Sequence, residues 1–206
     1  MSNALSTALF VLAGYLAGSM PFGYWLVRAF KGEDIRTVGS GNIGASNVWR
    51  TYGRNLGLTV MALDVLKGFV PAFLATIYAG DLAGVLAGVA AMAGHWRPLF
   101  LGFQRGGKMV ATFGGALFGV APVVGAIGTG VWISVFLAFR YASLASIVGA
   151  LMLPVLSVAL EEPWPVVAYT SIGGAGIVFL HRANIARLRA GTESRFRLRR
   201  RKAAAA

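Results

Sequence analysis

The chain has 206 residues, 57% of them hydrophobic and only 13% charged, with a formal net charge of +12 and no cysteine. A soluble domain carries about 25% charged residues, so this composition excludes an ordinary water-soluble fold, and the missing cysteines exclude disulfides and thiol chemistry. The positive charge does not indicate a nucleic-acid partner, because a solvated DNA-binding face needs a soluble fold behind it. Basic residues instead hold the cytoplasmic loops of a membrane protein inside.

Six apolar runs follow in order: Ala4–Val27, Leu56–Ala79, Leu82–Ala93, Val110–Phe139, Ala142–Leu160 and Pro165–Leu180. A helical crossing needs about 20 apolar residues, and several of these runs qualify. The first lacks a basic start and continues into positively charged sequence, so it reads as a true span and not a cleaved leader.

Lysine and arginine concentrate in Arg28–Arg54, in Arg97–Lys108, at Arg140 and from Arg182 onward. The connections at Gly80–Asp81 and Glu161–Pro163 have acids and no Lys or Arg. The first group is expected on the cytoplasmic side and the second outside, with the uncharged N-terminus outside. An external start and an internal basic tail require an odd number of crossings. Val110–Phe139 must then fold back on itself, near Pro122 or the glycines Gly125 and Gly128. The expectation is an all-α integral membrane protein: one polytopic domain of seven transmembrane helices over residues 1–206, with a basic cytoplasmic tail from about 181. The cluster "RFRLRRRK" in that tail is expected to lie on anionic lipid. Leu82–Ala93 is too short to cross alone, so His95 is expected at or below the inner membrane surface.

The loop Gly39–Arg50, "GSGNIGASNVWR", opens with the G-x-G-x-x-G spacing of dinucleotide-binding loops. That reading needs a strand before the glycines and an acid ending the next strand. The preceding "GEDIRTV" is short and charged, and Asp64 lies inside an apolar run with Lys67 three residues on, as an intramembrane ion pair would. What remains is anion chemistry. Glycines at Gly39, Gly41 and Gly44 let backbone N–H groups approach a phosphate. Ser40, Asn42, Ser46 and Asn47 add neutral donors, and Arg50 adds a planar fork. A polar turn with helix caps is the alternative for this loop.

The second basic loop, "GHWRPLFLGFQRGGKMVATFGG", places Gly106, Gly107 and Lys108 at the start of an apolar helix, a second anion site. It is not a P-loop, because Leu101 and Met109 stand where that motif needs Gly and Ser or Thr. His95 is a candidate base or phosphate ligand, with a helix-capping role as the alternative. In "HRANIARLRAGTESRF", His181 and Asn184 stand three apart and share a helical face. Two histidines and few acids form no metal set. No His-x4-Asp pair and no G-x-S-x-G elbow occurs.

Taken in order, "GSMPFGYWLVRAFKGEDIRTVGSGNIGASNVWRTYG", "LDVLKG", "GHWRPLFLGFQRGGKMVAT", "FRYASLASI" and "HRANIARLRAGTESRF" closely resemble segments of the bacterial acyl-phosphate:glycerol-3-phosphate acyltransferases, the PlsY family. The resemblance implies seven membrane helices in the bacterial inner membrane with a cytoplasmic active site. It implies transfer of a fatty acyl group from acyl phosphate to the sn-1 hydroxyl of glycerol 3-phosphate, with no cofactor, metal or coenzyme A. The products would be lysophosphatidic acid and phosphate. The catalytic residues it points to are Ser40, Arg50, Lys108, His181 and Asn184. The phosphate-contacting residues are Gly39, Gly41, Asn42, Gly44, Ser46, Asn47, His95, Gly106 and Gly107. Two positions depart from the pattern: Met109 stands where a glycine is usual, and Ala183 where relatives often have Glu. Glu193 is expected to be structural. The competing reading is a small phosphate-ester or organic-anion transporter, which would show polar residues through several spans and an inverted repeat.

Overall fold

The computed structural model describes residues 3–196. Among them there are only helices, turns and loops. Helices α1 (Asn3–Gly18) and α2 (Phe22–Lys31) lead into a looped segment with a 3-10 turn at Ile35–Thr37, then the short α3 (Ala45–Tyr52). Next come α4 (Arg54–Ala79), α5 (Asp81–Trp96), α6 (Val110–Val120), α7 (Pro122–Phe139), α8 (Ala142–Ala159), α9 (Trp164–Leu180) and α10 (Arg182–Arg189).

Four helical segments are long and apolar enough to cross a membrane: Ala4–Lys31, Arg54–Ala79, Pro122–Phe139 and Ala142–Ala159. The first of these contains α1, α2 and the break between them. A fifth is reached if α9 and α10, bent by 57° at His181, count as one. Helix α6 has only 11 residues and α5 only 16. At 1.5 Å per residue neither spans a hydrocarbon core of about 30 Å. Seven helices are apolar, α1 and α4–α9, but among the described residues only four segments, or five with the bent pair, are long and apolar enough to cross. The expected fold-back in Val110–Phe139 occurs at Ala121–Pro122, where proline cannot continue the ladder of α6 and takes the first position of α7 instead.

Large apolar side chains face outward on these helices. Val155 and Ile172 are 70% and 71% exposed, with Leu137, Leu151 and Val158 close behind. Such a surface is stable only against lipid or partner protein. Between helices, small residues permit close approach. Gly14 and Gly18 of α1 lie against the backbone of Ala87 and Ala91 in α5, and Gly68 of α4 lies against the Thr112 carbonyl of α6. The main core joins α5, α6, α8 and α9 around Phe113, Leu117, Leu153 and Tyr169, where the Tyr169 hydroxyl donates to the Phe113 carbonyl at 3.0 Å. A second cluster, Val27, Ile35, Ile43, Val48 and Val60, pins the first loop to α2 and α4.

The chain after α9 does not trail away. Helix α10 packs on α8 and α9, and the Phe196 N–H donates to the Arg140 carbonyl at 2.8 Å. Most of the cluster expected to lie on lipid, residues 197–202 of 195–202, falls outside the described residues.

Candidate active site

The three basic loops meet around two adjoining cavities. One, of about 700 Å³, is polar and is lined by Gly39, Gly41, Thr51, Arg105, Arg187 and Ser194, among others. The other, of about 490 Å³, runs between the helices among Val65, Phe113, Leu117, Phe118, Trp132 and Leu153. Six residues line both: Ser40, Asn42, Asn47, Arg50, Lys108 and Glu193. A phosphate-bearing head and a hydrocarbon tail therefore have adjoining compartments with a charged junction.

Lys108 stands at that junction. Its Nζ donates to Asn184 Oδ1 at 2.5 Å, and Asn184 Nδ2 donates to Glu193 Oε1 at 2.6 Å. Glu193 also accepts from Ser143 Oγ at 2.7 Å and from Arg187 Nε at 2.7 Å. Burial, followed by the positive field of Arg187, lowers the Lys108 pKa to about 8. Burial pushes the Glu193 carboxyl up, but hydrogen bonds from Ser143, Asn184 and Arg187 more than offset this and leave it below its ordinary value. Glu193 thus occupies Arg187 and Asn184, while Lys108 keeps a net positive charge facing the cavity.

The first loop is braced by one side chain. Asn47 Oδ1 accepts from the Ser40 N–H at 3.0 Å, and its Nδ2 donates to the Val38 and Asn42 carbonyls at 3.0 Å each. Asn42 Oδ1 in turn accepts from the Gly44 N–H at 2.9 Å. Gly39 and Gly41 have φ of 62° and 67°, in the left-handed region that glycine enters without strain. The glycines set the turn, Asn47 holds it, and the Ser40 side chain is left exposed on the cavity wall. Gly44 and Ser46 open α3, whose first N–H groups have no side-chain cap. Arg50, in the last turn of α3, lies over the Phe196 ring at 5.3 Å.

A chain with this layout matches the family model described as glycerol-3-phosphate acyltransferase over residues 8–191. The chain belongs to the glycerol-3-phosphate acyltransferase family. Among curated relatives, the enzyme of that name from Rhizobium etli is 43% identical over 182 residues, covering 88% of this chain and 87% of the relative. That from Roseiflexus sp. (strain RS-1) is 44% identical, covering 95% and 98%. Two crystal structures of PlsY, an integral membrane glycerol 3-phosphate acyltransferase, share the fold. Its glycerol 3-phosphate form gives a TM-score of 0.89 at 41% identity over 93% of this chain and 96% of that one, and its lysophosphatidic acid form 0.86 at 39%. The chain is a multi-pass membrane protein.

Within this glycerol-3-phosphate acyltransferase fold, several residues singled out in the sequence are engaged in contacts inside the protein. The N–H groups of Gly106 and Gly107 are already paired within the protein. They donate to the Trp96 and His95 carbonyls, both at 2.9 Å, because this loop folds back along the end of α5. Glycine is required there by contact: a Cβ on Gly107 would run into the His95 ring. His95 itself is buried, lines the apolar chamber and is not part of the polar cavity wall. His181 caps the bend between α9 and α10, with Nδ1 directed to the Ile177 carbonyl at 2.8 Å. That contact makes Nδ1 the protonated nitrogen and leaves Nε2 as an acceptor. His181 and Asn184 both border the apolar chamber, on the expected shared side.

Sequence reasoning left Glu193 outside the site, and did not select Ser143, Arg105 or Arg187. The segment after α10 returns Glu193 to the cavity, and no local spacing announces that return. Met109 has φ 68°, a left-handed conformation that a glycine would take without strain.

Proposed function

We propose that this chain transfers an acyl group from acyl phosphate to the sn-1 hydroxyl of glycerol 3-phosphate, releasing inorganic phosphate. The observation that carries the reading is the pair of cavities joined at Lys108, Arg50 and Ser40. Two phosphate-bearing reactants repel one another, and Arg50, Arg105, Lys108 and Arg187 place four cations around one polar cavity, with Arg187 paired to Glu193. The acyl tail occupies the apolar chamber, which brings its carbonyl to the junction where both cavities share residues.

An acyl phosphate is already activated, so the protein has to position reactants and stabilise charge. The acceptor hydroxyl oxygen adds to the acyl carbonyl carbon. The bond between that carbon and the phosphate oxygen then breaks, and the hydroxyl proton leaves with the phosphate. Lys108 and Arg50 offset the phosphate charge, and Ser40 donates to the carbonyl oxygen as it becomes negative. Ser40 lacks a histidine within hydrogen-bond reach, which argues against a covalent acyl-serine intermediate.

The membrane arrangement belongs to the same proposal. Seven crossings, an external N-terminus and a basic side in the cytoplasm place the site at the inner face of the bacterial plasma membrane. The short α5 and α6 then lie with their loop ends below the membrane surface, within reach of a bilayer-borne acyl donor. Family membership argues against the transporter reading.

The test is phosphate release by purified protein in a lipid environment, with palmitoyl phosphate as donor and no added metal. Release that requires glycerol 3-phosphate, yields lysophosphatidic acid and disappears in Arg50→Ala supports the proposal. Release without an acceptor, or none from folded wild-type protein, overturns it.

A further inference from the structure

An ion pair lies inside the bundle beside the site, and the mechanism above makes no use of it. Lys67 and Asp64, both in α4, are 5% and 2% exposed, and their Nζ and Oδ1 are 2.7 Å apart. Lys67 Nζ also donates to the Met20 carbonyl at 2.8 Å and sits 5.6 Å from the centre of the Phe22 ring. The break between α1 and α2 supplies that carbonyl. Pro21 interrupts the helix, and the Tyr24 N–H turns to the Pro21 carbonyl in place of Met20.

The same Oδ1 of Asp64 lies 3.7 Å from His95 Nδ1, a close approach without a hydrogen bond. The His95 ring is the surface on which Gly107 rests, and the His95 carbonyl takes the Gly107 N–H. Lys108 is the next residue. A continuous line of contacts thus runs from the α1–α2 break through Lys67, Asp64, His95 and Gly107 to the lysine at the cavity junction.

Stability does not account for the pair. Moving two charges out of water costs several kcal/mol each, and replacing a buried ion pair with apolar residues of similar volume is often neutral or stabilising. Ionisable groups held inside membrane helices at such cost usually serve a site. Here the site is the one that Asp64 and His95 both border.

We infer that Asp64 and Lys67 are positioning residues. Together with His95 they fix the Gly106–Gly107 segment and thereby set where Lys108 presents its charge. The inference rests on the acyltransferase reading for what Lys108 binds, glycerol 3-phosphate, but not on turnover.

The experiment compares the wild type with Asp64→Leu/Lys67→Met, which removes both charges together and leaves neither unpaired. Two quantities are read on detergent-solubilised protein: the thermal midpoint and the Kd for glycerol 3-phosphate by calorimetry. The expected result is an unchanged midpoint with affinity weakened about tenfold, within the range of coupling between residues in one network. Unchanged affinity at an unchanged midpoint overturns the inference, since a pair that only joins helices would behave that way. If the double variant does not fold, Lys67→Met alone is used, and the same two results decide. Absent turnover in a wild type that still binds glycerol 3-phosphate would overturn the acyltransferase reading and leave this inference to be judged on affinity.

Discussion

Lys108 Nζ and Asn184 Oδ1 are 2.5 Å apart, joined across 76 positions of sequence, and the amide is the link between the second basic loop and the tail helix. Asn184 spends its other end on Glu193, so a neutral group separates the lysine from the carboxylate. The charge of Lys108 is therefore held in place without being cancelled.

A pH dependence follows from this placement. The Lys108 pKa is lowered from its ordinary value to about 8, so the ammonium is present below that pH and is lost as pH rises through it. The kcat/KM for glycerol 3-phosphate should accordingly fall on the alkaline side, with a limb near pH 8 in the free enzyme. A bound phosphate favours the charged lysine, so the limb in kcat should lie at higher pH than the limb in kcat/KM. Lys108→Arg, with a guanidinium that stays charged, should remove the limb even if the rate drops. Profiles measured on both proteins across neutral and alkaline pH check this.

Glu193 gathers Ser143, Asn184 and Arg187, which come from α8 and α10. Its folded pKa is below the ordinary carboxylate value. The stability it contributes is present above the unfolded pKa and is lost as pH falls through the folded one. Glu193→Leu should lower stability by about 1.5–3 kcal/mol, the usual worth of hydrogen bonds to a charged group. It should also remove part of the acid sensitivity. Thermal unfolding at neutral and acidic pH measures both effects.

Acyl-chain length should be read by the depth of the apolar chamber. From Ser143 to Leu153 along α8 the wall extends about 15 Å at 1.5 Å per residue. Gly114 and Gly149 border this space, and a Cβ built on either meets nothing within 4 Å. Gly149→Val would place two methyl groups in the chamber without displacing a neighbour. The expected outcome is a several-fold shift in the ratio of rates toward shorter acyl phosphates, with the KM for glycerol 3-phosphate unchanged. An unaltered chain-length profile would show that the tail lies elsewhere.

Met109 combines two opposed effects. Its φ of 68° is unfavourable for an L side chain by about 1–2 kcal/mol. Its side chain is buried in the main core, where loss of a Met side chain typically costs about 2–5 kcal/mol. The burial is larger, so Met109→Gly should destabilise the protein by about 1–3 kcal/mol although it relieves the backbone. A rise in the unfolding midpoint would mean that backbone strain dominates.

The lateral composition of this protein was legible without coordinates. Apolar runs announced the helices, lysine and arginine marked the loops, and Pro122 with Gly125 and Gly128 marked the stretch of the fold-back, because these are properties of short stretches and their solvent. The loop Gly39–Arg50 was legible as a turn lined with donors for the same reason. Which donors remain free was not legible. Asn47 looked like a ligand and serves as a brace, and Gly106 and Gly107 looked like anion donors and are paired to α5. A hydrogen-bond donor has one use at a time, and its partner lies in a segment that sequence spacing does not bring near. The return of Glu193, the support of His95 under Gly107 and the junction of the two cavities all depend on contacts between distant segments. These only the packing of the helices decides.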